Sequence, residues 1–334
     1  MAQKRRGDGG GRQERLRPGN GPLLVLARAL SAEVLRAHAG GALSRAELKA
    51  VLGSAPTSSM RAALGELAAL GAVAREGSRG GRSELTPAGR ELAPVLDALE
   101  RWLAEAPQGP LSLEQGAGRR IVRRLVDAWD SGVVRALAER PCAGAELSAR
   151  VPAVNEAALL FRLERLRSAS LLRLFRGAGA ARYGPTQWLC RSVTPLVLAG
   201  RWELRHGAAP TPLSGGDAEA ALLLALPQLE LSPRASGACT LAVLTPDRQA
   251  AGGEVAGVLA ELELGAIASL ATGGGSDPST WALGTVPAWL EGVVDGRGDR
   301  LRIGGARPWL ARHLVGSIRD GLLCVQQARR QSLA

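Results

Sequence analysis

The residues of this 334-residue chain best suited to chemistry are hydrogen-bond donors that fit a polyanion, and they come in two sets. Thr57, Ser58, Ser59 and Arg61 fall at the start of a stretch whose apolar residues keep a helical period. Hydroxyls at such a helix start reach phosphates or base edges, and an arginine can take guanine O6 and N7 together. Arg79 and Arg82 lie in and beside Gly77-Ser78-Arg79-Gly80-Gly81, a loop between two short strand patterns, and suit phosphate or the minor groove. The second set is Asn155, Glu156, Arg162 and Arg165, followed by Arg176 and Arg182. Here Leu160 and Phe161 stand where the first set has Arg61 and Ala62, and neither apolar residue suits phosphate or bases. Two readings stand for the second set: double-stranded DNA, or protein, such as a partner subunit in a homodimer.

Other chemistries find no support in the spacing. Cys142, Cys190, Cys239 and Cys324 form no CxxC pair, and His38, His206 and His313 are equally scattered. That argues against a zinc site, a disulfide framework and a thioredoxin-type centre. Gly273-Gly274-Gly275-Ser276 lacks the GK[ST] of a P-loop, and Asp295 and Asp299 lack the rest of a calcium loop. No Ser/His/Asp constellation stands out. No catalytic residue, metal or cofactor is expected, and an enzyme is not.

Charge points the same way as the donors. Lys4 and Lys49 are the two lysines, so 40 of the 42 basic residues are arginine, a skew associated with GC-rich bacterial genomes. The net charge of +11 divides into +4 for residues 1–21, +1 for 22–106, +8 for 107–215 and −2 for 216–334. A polyanion partner for the first two-thirds follows. Lys4, Arg5, Arg6, Arg12, Arg15 and Arg17 among glycines read as a disordered basic arm. The apolar run Pro22–Ala27 ends at Arg28, too short for a signal peptide, and no run approaches a membrane span, so a cytoplasmic protein without membrane contact is expected.

The elements that must carry these donors emerge from an internal repeat. At an offset of 99, Leu26 falls on Leu125, Val34 on Val133, Glu47-Leu48 on Glu146-Leu147 and Leu64 on Leu163. One residue later, Thr86 falls on Thr186, Leu96 on Leu196 and Arg101-Trp102 on Arg201-Trp202. A period this long means a duplicated domain rather than a solenoid. The expected copies are 22–106 and 119–205, joined by a linker over 107–118. Within the first copy the pattern reads helix, short helix capped by Ser44 with Glu47 completing the box, third helix ended by Gly71, hairpin, and a final helix from Pro87.

That order, with Leu85-Thr86-Pro87-Ala88-Gly89-Arg90-Glu91-Leu92, resembles the winged helix-turn-helix of the HxlR and MarR families. The trailing Leu96, Leu99 and Trp102 look most like the HxlR type. The second copy is similar through Ala128-Trp129-Asp130, Ala145-Glu146-Leu147 and Arg182-Tyr183-Gly184-Pro185-Thr186. The resemblance implies operator DNA binding by a bacterial transcriptional regulator. The oxidant-sensing cysteine some members carry near the first helix is absent, so that mode is not implied.

Residues 217–325 stop matching the repeat and read as an α+β domain with a mainly antiparallel sheet. The pattern gives strands at Cys239–Leu244, Val255–Leu264, Ala266–Thr272, Thr280–Gly284 and Arg300–Ile303, a helix from Pro287 and a last helix from Trp309 to Leu323. The stretch from Thr280 to Leu314 is similar to the C-terminal half of sterol-carrier-protein-2-like domains, which implies an apolar ligand between sheet and helices. Trp281, Leu283, Trp289, Leu290 and Trp309 are the lining that this resemblance implies; a filled core is the other reading. The fold expected is therefore α+β, two tandem winged helices followed by this domain. The function expected is ligand-regulated DNA binding, with a protein-interaction scaffold as the alternative and a lipid carrier with degenerate winged helices as the third.

Overall fold

A computed structural model describes residues 21–75, 81–151, 155–176, 180–207, 215–244, 256–273 and 279–332, with backbone only at 75 and 323–332. The expected basic arm lies outside the described residues, except that Gly21 opens the first helix. Helices α1 (Gly21–Leu26), α2 (Ser31–Ala37), α3 (Arg45–Leu52) and α4 (Thr57–Ala69) lead to a hairpin of β1 (Val73–Arg75) and β2 (Ser83–Leu85), then to α5 (Pro87–Ala104). The series returns as α6 (Gly116–Asp130), α7 (Val133–Ala138), β3 (Cys142–Ala143), α8 (Gly144–Arg150), α9 (Glu156–Ser168), β4 (Leu172–Phe175), β5 (Arg182–Pro185), α10 (Gln187–Arg191) and α11 (Val193–His206).

Local chemistry repeats with the elements. Ser44 Oγ accepts the Glu47 N–H at 3.2 Å while Glu47 accepts the Ser44 N–H at 2.7 Å, the reciprocal cap read from the sequence. Thr86 caps α5 by accepting from Gly89 N–H at 3.0 Å and donates to the Gly71 carbonyl at 2.6 Å. Thr186 does the same with Leu189 N–H and the Ser170 carbonyl, at 3.2 and 2.8 Å. Gly71 has φ +79°, and Ser170 takes the same left-handed turn at φ +59° despite its side chain. Gly89 is required for space, because a Cβ there would sit 2.0 Å from the Ala72 carbonyl oxygen.

One register differs from the sequence matching. The left-handed residue before the second helix is Leu30 in one half and Gly132 in the other, an offset of 102 rather than 99. Val34 therefore does not correspond to Val133. The 3₁₀ turn His38–Gly40, after α2, takes up the difference. A three-residue slip is nearly one helical turn and keeps the same apolar face, which is why periodicity did not detect it.

The two halves pack against each other through a reciprocal contact. Trp102 Nε1 donates to the Trp188 carbonyl at 2.8 Å, and Trp202 Nε1 donates to the Ala88 carbonyl at 2.7 Å. Residues 202 and 88 are the repeat counterparts of 102 and 188, so this is one bond made twice. Trp188 Nε1 returns a bond to the Trp102 carbonyl at 2.7 Å, and the two indoles stack at 4.7 Å with 13° between their planes. The flanking ion pairs are also counterparts, with the charges exchanged: Glu105–Arg191 at 2.8 Å and Arg205–Glu91 at 2.9 Å. In this geometry two first halves would set Glu105 against Glu91, and two second halves Arg205 against Arg191.

Buried side chains of both halves form one continuous cluster, from Leu23 to Ala225. The segment expected as a linker takes part, since Leu113 is fully buried and Leu111 N–H bonds to the Leu103 carbonyl. At the far side of this joint core, Glu203 of α11 accepts the backbone N–H of Gly21 at the start of α1, and burial pushes its carboxyl up to about 7. The unfolded chain ionises this group near 4.5, so the native state holds the extra proton between those values. Stability from this group is present at low pH and falls as pH rises through about 7. Glu203→Gln should remove that loss, about 1–2 kcal/mol once solvent screening of a half-buried group is allowed for. Urea denaturation at pH 5 and pH 8 checks this; equal differences from the parent protein at both pH values would refute it.

The last third is mixed helix and strand, as expected. Helix α12 (Gly215–Ala225) leads to β6 (Gly237–Leu244), β7 (Ala256–Glu263), β8 (Ala266–Thr272), β9 (Thr280–Thr285), α13 (Val286–Val294), β10 (Arg302–Gly305) and α14 (Pro308–Ser332). The sheet order is β10-β9-β6-β7-β8, antiparallel except for the β6–β9 pair. The expected strand at Arg300–Ile303 starts two residues later, because Gly298–Arg300 forms a 3₁₀ turn. Val255 lies outside the described residues. A second cluster, from Leu222 to Ile318, fills this part, and α12 contributes to both clusters.

Candidate nucleic-acid interface

Helix α4 buries Met60, Ala63, Leu64 and Leu67 and leaves its other face open. Thr57, Ser58 and Arg61 are exposed on that face and Ser59 is half-buried. Pro56 precedes the helix and provides no side-chain cap to the first N–H groups of α4. Uncapped N–H groups and the positive end of the helix dipole favour an anion there. Lys49 Nζ, on α3, lies 3.4 Å from Thr57 Oγ1 and adds a cation that the sequence reading passed over. Arg79 lies outside the described residues. Arg82 is exposed but already engaged: it donates to the Ala42 carbonyl at 2.5 Å and pairs with Glu47 at 3.4 Å.

The second half presents a different surface at the matching helix. Asn155 is the cap of α9, its Oδ1 accepting the Ala158 N–H at 2.8 Å. Glu156 is exposed beside it. Leu160 and Phe161 are exposed at 42% and 63%, large fractions for apolar side chains. Arg162 pairs with Asp127 at 3.7 Å, and the Arg165 guanidinium lies 5.5 Å from the centre of the Phe161 ring. Arg182 pairs with Glu146 at 3.7 Å, the counterpart of Arg82 with Glu47, while Arg176 is exposed.

A basic cluster joins α6 to α9. Arg124 Nη1 donates to the Arg165 carbonyl at 3.5 Å, and its buried Nε has no partner among the described residues. Burial lowers the Arg124 pKa, and the positive charges of Arg165 and Arg120 lower it further. Like charges held together are relieved by an anion. The sequence reading missed Arg120 and Arg124, although their i, i+4 spacing in Arg119-Arg120-Ile121-Val122-Arg123-Arg124 places both on one helix face.

The five candidate ligand residues are not brought together. Trp289 and Leu290 are buried on α13 and line an apolar pocket between α11, α12, α13 and α14. Trp281 and Leu283 alternate with the buried Ala282 on β9 and therefore face the other side of the sheet, where Trp281 covers Gly304. Trp309 is 46% exposed near the start of α14.

Burial pushes the Cys190 thiol up to about 11 and that of Cys239 to about 12, and it raises Cys142 as well, which suppresses the nucleophilic thiolate. Among the described residues no group of His, Cys, Asp and Glu could hold a metal ion, and no helix is long and apolar enough to cross a membrane. No family model matches the chain, and no curated protein matches it.

Proposed function

We propose that the chain is a DNA-binding transcriptional regulator whose two halves act as paired winged helix-turn-helix units. The observation that carries this reading is the open face of α4: an uncapped helix start flanked by Thr57, Ser58, Arg61 and Lys49, beside a hairpin. The Arg120–Arg124–Arg165 cluster supports an anionic partner for the second half. Because the contact between the halves is reciprocal while α4 and α9 differ, the site expected is a pair of inverted half-sites with different sequences, bound by one chain. In this reading the pairing that a homodimer would supply is made within the chain.

Selection of bound duplexes from a random library tests the proposal. The expected result is an asymmetric inverted site whose affinity falls steeply with salt. Arg61→Ala should cost about 1–3 kcal/mol at the selected site and little on unrelated DNA. Arg79→Ala should weaken both alike. If neither substitution separates the two kinds of DNA, Arg61 contacts only phosphate; if no duplex is enriched, the proposal fails. One observation favours a second reading. Exposed Leu160 and Phe161 suit a protein surface, so the second half would then dock protein while the first binds DNA.

A further inference from the structure

Helix α9 carries apolar side chains on two faces. Leu159, Leu163 and Leu166 are buried in the core that the halves share. Ala157, Leu160 and Phe161 lie on the exposed side, Leu160 at 42% and Phe161 at 63%. Helices α4 and α9 correspond residue for residue, Thr57–Ala69 against Glu156–Ser168, and in α4 the same two positions hold the exposed Arg61 and Ala62. Leu160 rests against the start of α8, since a Cβ added at Gly144 would lie 3.1 Å from its Cδ2. That contact steadies the side chain without covering it.

The surroundings of this apolar face are cationic. The Arg165 guanidinium lies 5.5 Å from the centre of the Phe161 ring, and Arg120 and Arg124 of α6 are close enough for their charges and that of Arg165 to oppose one another. Of the carboxylates nearby, Asp127 is paired with Arg162 and Glu164 with Arg167, while Glu156 is exposed at the helix start. A helix with apolar residues outward and arginines around them suits a groove whose floor holds an apolar group and whose edges are anionic. Duplex DNA has that arrangement: its major groove admits a helix between two phosphate backbones, and the 5-methyl group of thymine lies on its floor. Leucine and phenylalanine satisfy neither phosphates nor the hydrogen-bonding edges of bases, but a methyl group needs no donor or acceptor.

We propose that Leu160 and Phe161 are specificity-determining residues of the second half, which read thymine through its 5-methyl group in the major groove. This rests on the DNA-binding reading above and assigns the outer face of α9 to DNA rather than to a protein partner. The two half-sites then differ in the chemistry by which they are read: guanine O6 and N7 for Arg61, and the thymine methyl group for Leu160 and Phe161.

The full-length protein and the duplex it selects provide the test. The half-site whose sequence preference survives Arg61→Ala belongs to the second half, and it should hold a fixed thymine. Replacing that thymine by deoxyuridine removes the methyl group and keeps every hydrogen-bonding group. Affinity measured by fluorescence anisotropy at constant salt should fall about fourfold for each contacted methyl, the ratio that burial of one such group provides. In the double variant Leu160→Ser, Phe161→Ser the thymine and deoxyuridine duplexes should bind alike. Equal binding of the two duplexes by the parent protein overturns the proposal while DNA binding itself stands, and that measurement needs no variant. An undiminished preference for thymine in the double variant overturns it too. So does parental affinity of the double variant for the thymine duplex, which would leave the face of α9 to a protein partner. If no duplex is selected, this reading falls together with the one it rests on.

Discussion

Replacing Trp102 by alanine should destabilise the protein by about 3–5 kcal/mol, the cost of removing a fully packed tryptophan. Trp102 is 3% exposed, stacked on Trp188, and bonded to it in both directions. Truncation leaves a cavity at the contact between the halves and orphans the Trp188 carbonyl. Trp102→Phe keeps most of the apolar contact and loses the N–H bond, so a smaller loss of about 1–2 kcal/mol is expected. Since buried residues of both halves form one cluster, each variant should shift a single denaturation transition for residues 21–225. A transition that splits, with the second half unmoved, would show that the halves are independent.

Asp295→Ala should cost about 3 kcal/mol, at the lower end of what breaking a buried ion pair does. Arg201 is 6% exposed and bonds Asp295 Oδ2 through Nε at 2.8 Å and also through Nη2. Without Asp295 the guanidinium remains buried with its charge uncompensated. Adding Arg201→Met should recover most of the loss, because the pair is then replaced by apolar packing rather than broken. Equilibrium denaturation of the two variants decides it. If the double variant is as unstable as Asp295→Ala, the pair itself, and not the stranded charge, is what stabilises α11 against the last third.

The contact surface between the halves also bears on partner choice. Glu91, Glu105, Arg191 and Arg205 are each roughly half exposed, so each of the two pairs contributes little to stability. Their exchanged signs act differently, by penalising like-with-like pairing of halves from separate chains.

Features that depend on neighbours in the chain are legible in the amino-acid order alone. Ser44 and Glu47, three residues apart, form the reciprocal cap; Thr86 and Thr186 start their helices; the order strand, helix, strand ending in glycine, helix holds from Thr280 onward. Such features follow from periodicity and short-range hydrogen bonds, which a few consecutive residues specify. The exposed row of Thr57, Ser58 and Arg61 was legible for the same reason, since a buried stripe at helical spacing fixes the opposite face. The rest depends on which distant surfaces meet in the fold. Arg101 and Arg201 match in sequence, yet Arg201 is buried on Asp295 and Arg101 is half-buried, because only α11 has the last third packed beside it. Arg82 is engaged at the surface because Glu47 and the Ala42 carbonyl, about 40 residues away, come within reach. Trp281 and Trp289 are eight residues apart but face different spaces, since a strand of period two gives way to a helix between them. Bonds such as Trp102 to Trp188 join residues 86 positions apart, and no local pattern encodes which distant surfaces will meet.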